Sequence, residues 1–365
     1  MAGGDGRLRE EPSRSCLRFE DWPAADRVAW AAAMRPGNVL EEGGAASHWS
    51  PASRRKTVSG YGRYLGWLQA RGRLDPPCPP ADRVTKELVA AYVDHLLAVN
   101  RGYTVLGRVQ ELYDAIRVMA PDRDWAWLRR IGSAVRSRTQ PAKSKVGRVL
   151  PPDLLAELGL KLMARAESAA DLTPLQCAVL FRDGLMITLL AYRPVRISNF
   201  AGIAIGRQLV QQGTRYWLRF EADETKTRRP LQAPIPAAVL PGLVRYLDHH
   251  RVVLLTGGNR RLPAETDALW VSETATPMAV ISIHKRFRRH TKAAFSVAVS
   301  PHLFRDSAAT AIATEGPQHV RAIMPILGHA RLTTSETHYN QANSLDASRR
   351  HVRIVTDLKR RLGVS

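Results

Sequence analysis

Between residues 136 and 148 the chain reads Arg136-Ser-Arg138-Thr-Gln-Pro-Ala-Lys143-Ser-Lys145-Val-Gly-Arg148, five basic residues in thirteen, with no acid and almost nothing apolar. A stretch so poor in apolar surface cannot offset the entropy lost on ordering it in a core, so it reads as a linker, placed at residues 139–150. Cutting a 365-residue chain there leaves two segments, each long enough to bury a core of its own. The expected architecture is therefore two domains, and the hydrophobic pattern differs on either side.

The first segment is helical in period. Residues 1–21 are polar and Gly-rich and are expected to form a flexible tail. Trp22-Pro23 opens a helix over Ala24 to Met34, stopped by Pro36-Gly37. Ser50-Pro51 starts a longer one to about Arg71, with Tyr61, Leu65 and Leu68 as its apolar stripe. Thr85 caps a third helix with the stripe Val89, Val93, Leu96. A fourth carries Val105, Val109, Leu112 and Ile116 before Pro121, and a fifth begins near Asp124. One apolar face per helix over residues 22–138 suits a small bundle. Its candidate binding cations are Arg54, Arg55, Lys56, Arg129, Arg130 and Arg136, continued in the linker by Arg138, Lys143, Lys145 and Arg148.

After Pro151-Pro152 a helix (Asp153 to Ala166) precedes a strongly apolar one, Leu175 to Tyr192. Short alternating runs follow at Gln208 to Val210, Arg215 to Phe220 and Leu231 to Ile235, which predict a small antiparallel sheet inserted among helices. Helices resume at Leu240 to Val253 and Ile281 to Phe295, the latter with the basic run Lys285, Arg286, Arg288 and Arg289. The fold class is thus mainly α with a small antiparallel sheet, the second domain α+β over residues 151–343.

Lys and Arg number 54 against 33 Asp and Glu, a formal charge of +21 and an isoelectric point near 10.7. Clustered as it is, that excess points to a polyanion, most often nucleic acid. No run of 18 apolar residues occurs and the start lacks the apolar core of a signal peptide, so no membrane partner is expected. Cys16, Cys78 and Cys177 are scattered and read as free thiols of a reducing cytoplasm.

The chemistry concentrates between Pro301 and Ala342. His302 and Arg305 stand at i and i+3, which share a helical face, and Pro301 suits the first turn. His329 follows Leu327-Gly328, and Tyr339 lies ten positions beyond it (339 minus 329). Histidines, a guanidinium and a phenol make a poor metal site but fit a phosphodiester. A phenol with pKa near 10 needs its developing charge stabilised to attack phosphorus. Guanidiniums hold the non-bridging oxygens by paired hydrogen bonds.

These residues, with Arg196 in Pro-Val-Arg-Ile-Ser and Lys226 in Thr-Lys-Thr between two strands, resemble the tyrosine recombinase (phage-integrase-type) family. The resemblance covers about residues 45–345. It implies a helical, SAM-like core-DNA-binding domain ahead of the catalytic domain, the two clamping a duplex. By this resemblance the catalytic set is Arg196, Lys226, His302, Arg305, His329 and Tyr339. Tyr339 would be the nucleophile, Arg196 and Arg305 the phosphate clamps, Lys226 the acid for the leaving 5′ oxygen, His302 a general acid/base and His329 a donor to the phosphate. No metal and no nucleotide cofactor are implied. The implied partner is double-stranded DNA carrying recombination core sites, bound by a homotetramer on paired sites, with accessory DNA-bending or directionality factors, in the bacterial cytoplasm at the nucleoid. Residues 344–365, with the stripe Val355, Leu358, Leu362, are expected to form a helix that docks on a neighbouring protomer. The rival readings are a type IB topoisomerase and a catalytically inactive DNA-binding protein. Three departures stand out: Asn199 where the family usually has an acid, Asp306 where it often has histidine, and a His329-to-Tyr339 gap one residue longer than the commonest.

Overall fold

The structure is a computed structural model, and it describes residues 16–38, 40–100, 102–137, 147–256 and 265–315. His329, Tyr339, Arg138, Lys143, Lys145 and the stripe at 355–362 lie outside the described residues. The chain divides between residues 144 and 145, within the basic segment, into two compact units.

In the first unit the described helices are α1 (Ala24–Met34), α2 (Pro51–Gln69), α3 (Lys86–Val99), α4 (Gly102–Met119) and α5 (Ala126–Ser137). The local signals act as expected. Ser50 accepts from the Ser53 N–H ahead of Pro51, Thr85 accepts from the Leu88 N–H, and Asp124 accepts from the Ala126 N–H. Tyr61, Leu65 and Leu68 are fully buried. They meet an aromatic core in which Trp22, Trp30, Tyr61, Tyr64, Trp67 and Tyr92 touch ring to ring. Within it the buried Asp26 accepts from the Tyr61 hydroxyl and pairs with Arg83, whose remaining donors hold the carbonyls of Asp75 and Pro76. Burial, then the Asp26 charge, pushes the Tyr61 phenol well above its ordinary value. Packing starts earlier than the composition suggests. The Leu17 N–H donates to the Gly62 carbonyl at 3.0 Å, and a Cβ at Gly62 would come within 2.3 Å of the Leu17 carbonyl oxygen.

In the second unit α6 (Pro152–Ser168) and α7 (Pro174–Tyr192) form a close hairpin. A Cβ on Gly159 would sit 2.1 Å from the Thr188 hydroxyl, so glycine is what lets the two backbones approach. Thr173 and Gln176 make a capping box at the start of α7. Among the described helices α7 is the one long and apolar enough to cross a bilayer. Here it is the unit's central helix, buried from Phe181 to Ala191, with the Arg182–Asp183 pair at its middle. After α8 (Ile197–Ala201) come β1 (Leu209–Gln212), β2 (Arg215–Phe220) and β3 (Leu231–Pro234), antiparallel in the order β1-β2-β3. Leu218 lies opposite Leu209 and Ala233 at its centre.

The helix read over Leu240 to Val253 is not uniform. It consists of α9 (Leu240–Arg245), a π turn over Tyr246–His250 and α10 (Arg251–Thr256). The wider turn has both ends in the core: Tyr246 donates to the Leu269 carbonyl and His250 stacks on Phe181 at 4.0 Å. Then follow α11 (Val280–Phe295), which ends at Ser296 with φ of 57°, and α12 (Pro301–Glu315). The architecture is mainly helical with one small antiparallel sheet.

Candidate active site

Arg196 and Arg305, 109 residues apart in sequence (305 minus 196), are brought together by an aromatic column. Phe200, one turn after Arg196 on α8, stacks on Trp270 at 4.9 Å and meets Phe287 of α11 edge-on. Phe287 in turn meets Phe304 of α12, the residue before Arg305, at 5.1 Å. The four rings are fully or almost fully buried, and the Trp270 indole N–H donates to the Phe200 carbonyl. Each arginine thus hangs from a ring locked in the core.

The loop between α7 and α8 is fastened from both sides. Arg305 is only 7% exposed and donates from Nη1 to the Pro194 carbonyl at 2.6 Å, two residues ahead of Arg196. Arg193 donates from Nε to the Pro234 carbonyl of β3 at 3.1 Å. Burial, followed by the neighbouring Arg196 charge, lowers the Arg305 guanidinium to about 10. Burial also pushes the half-buried Arg196 down from its ordinary value. Two guanidiniums that oppose each other's charge in a partly buried setting are suited to receiving an anion. His302 stands exposed in the first turn of α12, three residues before Arg305, and Asp306 is buried.

Lys226 is exposed on the loop between β2 and β3. That loop is knit by its own polar atoms. Thr225 donates its hydroxyl to the Arg229 carbonyl and accepts the Arg229 N–H, while Glu224 accepts the Glu221 N–H. Arg228 takes a left-handed φ of 51° to close the turn. The loop meets the body of the unit through Glu224, whose carboxylate accepts from Gln208 at 2.6 Å and Arg207 at 2.8 Å. Burial works to raise that carboxyl, but the Glu221 N–H, Gln208 and Arg207 hold it below its usual range. Asn199 donates to the Glu224 carbonyl at 3.1 Å.

The basic run on α11 is not one surface. Lys285, Arg288 and Arg289 are exposed, whereas Arg286 is half-buried and donates from Nε to the buried Asp183 at 2.5 Å. Asp183 also binds Arg182 and, through Oδ2, His290 at 2.8 Å. Burial would raise the Asp183 carboxyl, yet Arg182, the His290 bond and Arg286 together hold it below its usual value. This cluster bolts α11 to α7, and sequence reading missed it. The available signal was the helical phase of α11. Ile283, Phe287 and Thr291 point inward at i, i+4, i+8, and Arg286 and His290 flank that stripe. In the first unit Arg55, Lys56, Arg129, Arg130 and Arg136 are exposed, while Arg54 is half-buried and donates to the Ser47 and Trp49 carbonyls. Arg148 is half-buried at the start of the second unit.

Residues 161–345 match the model of the phage integrase family, just over half of the 365 residues and the stretch that runs from Arg196 past Tyr339. The chain belongs to that family, the tyrosine recombinases. The tyrosine recombinase XerC 2 of Ralstonia nicotianae is 27% identical over 281 residues, covering 75% of this chain and 72% of that one. Among solved structures, the XerH site-specific recombinase bound to difH substrate, in a pre-cleavage complex, aligns with a TM-score of 0.51 at 15% identity over 81% of this chain and 78% of its own. The Tn1549 transposon integrase in complex with circular intermediate DNA aligns with 0.51 at 14% identity, over 83% and 96%. At such low identity the structural matches speak to the fold, and they bear out the mainly helical recombinase architecture expected from the sequence. In this tyrosine recombinase Arg196 and Arg305 adjoin the aromatic column, and Lys226 stands on the polar loop.

Proposed function

We propose that this recombinase performs site-specific DNA strand exchange with Tyr339 as nucleophile. The Tyr339 oxygen attacks a backbone phosphorus, the bond from phosphorus to the 5′ oxygen breaks, and a 3′-phosphotyrosyl link remains. Lys226 delivers the proton that the departing 5′ oxygen needs. Arg196 and Arg305 hold the non-bridging oxygens as charge develops on them, His302 acts as general acid/base and His329 donates to the same phosphate. A 5′ hydroxyl from the partner duplex then reverses the step, and two such exchanges pass through a Holliday junction. The phosphotyrosyl link conserves the bond energy, and the cationic side chains supply the charge a divalent ion would bring, so neither nucleotide nor metal has a part in the scheme. The observation that carries the reading is the junction of Arg196 and Arg305 through the buried column and the Pro194 carbonyl.

Further parts of this reading are backbone contacts by Arg55, Lys56, Arg129, Arg130, Arg136, Arg138, Lys143, Lys145, Arg148, Lys285, Arg288 and Arg289, and a homotetramer on paired sites. Accessory DNA-bending factors and a cytoplasmic, nucleoid location complete it. The test uses nicked duplexes tiled across the DNA that flanks the gene. A covalent adduct and recombinant products from two duplexes are expected. An adduct with relaxation of a supercoiled plasmid but no exchange would make it a type IB topoisomerase, and binding without any adduct would make it an inactive binder.

A further inference from the structure

The loop that carries Lys226 runs from Glu221 to Pro230, and none of its side chains is buried. Apolar packing therefore cannot fix where the lysine points. Its internal bonds make it stiff, but a stiff loop still needs fastening to the body of the enzyme. The fastening is at Glu224, two residues before Lys226. Gln208 and Arg207 hold the Glu224 side chain, whereas Asn199 holds its main chain. Only the last of these bonds comes from α8, the helix that Arg196 directly precedes.

We infer that Asn199 is the positioning residue for Lys226, tying the lysine loop to the arginine-bearing turn. The chemistry asks for an amide at this position. The Glu224 carbonyl is an acceptor, so its partner must donate, and Asn199 offers Nδ2–H while its Oδ1 accepts from the Ser198 hydroxyl. A carboxylate at position 199 has no proton to give. It would also set a second negative charge near Glu224, and two acceptors facing each other repel. Beside the bond lies an open hollow of about 200 Å³ lined by Ser198, Asn199, Gly202, Gln208, Phe220 and Glu224, so no packing would hold the loop once the bond is lost. The amide at a position the family usually gives to an acid thus has a structural reason in this chain.

The inference rests on Lys226 being the acid of the proposed function, and the experiment separates the two. Single-turnover cleavage is measured on the nicked duplex that yields an adduct, once with a normal phosphodiester and once with sulfur in place of the bridging 5′ oxygen. A thiolate leaves without protonation, since a thiol of the cysteine type ionises near 8.5. Lys226→Ala is expected to lose ~10²–10⁴-fold on oxygen and to recover with sulfur. Asn199→Asp should lose about tenfold on oxygen, the equivalent of one hydrogen bond, and fall within about twofold of the parent with sulfur, with DNA affinity unchanged. Asn199→Leu, similar in size and uncharged, should behave the same way and covers the case in which the carboxylate impairs folding. Equal slowing of both Asn199 variants on oxygen and sulfur, or no slowing on either, would overturn the inference while leaving Lys226 in place. Failure of sulfur to rescue Lys226→Ala would remove the acid itself, and the inference with it.

Discussion

Arg196 and Arg305 hang from a column of buried rings, whereas Lys226 rides on a loop without a single buried side chain. The column draws its rigidity from close packing, which leaves few alternative arrangements at low cost. The loop depends on a handful of directional bonds around Glu224, each worth little net and each removable by one substitution. The groups assigned to the phosphate oxygens are thus fixed before DNA arrives, at the cost of burying guanidiniums. The group assigned to the leaving oxygen stays exposed at the surface, within reach of water. A proton donor gains from access to water and from a movable reach, while an oxyanion receptacle gains from dryness and preorganisation.

The largest effect should come from the column. Phe287→Ala should destabilise the second unit by ~3–5 kcal/mol, as for a large buried aromatic, and move both arginines at once. Denaturant unfolding would measure the first effect, and cleavage by the fraction still folded the second. A variant that keeps full cleavage per folded molecule would show that the column does not set the arginines. Next comes Arg305→Ala, which removes the donor proposed for the phosphate and also the clasp on Pro194. Cleavage should fall by ~10²–10³ in single turnover, and retention within a few-fold would take Arg305 out of the site.

On the loop side, Glu224→Ala removes the bonds from Gln208, Arg207 and the Glu221 N–H but leaves the main-chain carbonyl for Asn199. A loss of about tenfold is expected, held to that size by the main-chain bond that Asn199 still makes, again without a change in affinity. The smallest effect belongs to a polar tie of no catalytic part. Glu167, bridging α6 to Arg245 of α9, is held at about 2 chiefly by the Arg245 hydrogen bond, against an ordinary 4.5. Because the folded value is the lower one, its contribution is present above pH 4.5 and drains away as pH falls towards 2. Arg245→Ala should therefore lower the melting temperature slightly at pH 7, with the gap from the parent closing across that acid window. A gap independent of pH would mean that lost packing, not charge, explains it.

Much of this was legible locally. Ala24–Met34 was bounded by Pro23 and Pro36, Ser50 and Thr85 announced helix starts, and the alternation in Arg215–Phe220 marked β2. Hidden features were those whose partners lie far along the chain. Nothing near Asp183 foretells Arg286 and His290, 103 and 107 residues away, and nothing near Asn199 names Glu224. Sequence marked Asn199 as a departure because an amide stood where an acid was expected, but its reason is a carbonyl 25 residues on. The π turn was equally silent, since the buried Leu243, Tyr246, His250 and Leu254 keep the three- and four-residue spacing of an ordinary helix.

If this charged assembly serves attack by Tyr339, covalent mapping will find the DNA on that residue. The protein is trapped on the nicked duplex, the DNA is digested, and the nucleotide-bearing peptide is sequenced by mass spectrometry. The expected result is a 3′-phosphate on Tyr339 in the parent and no adduct with Tyr339→Phe, whose binding to the duplex stays intact. A nucleotide on any other residue, a 5′ linkage, or an adduct that survives in Tyr339→Phe would contradict it.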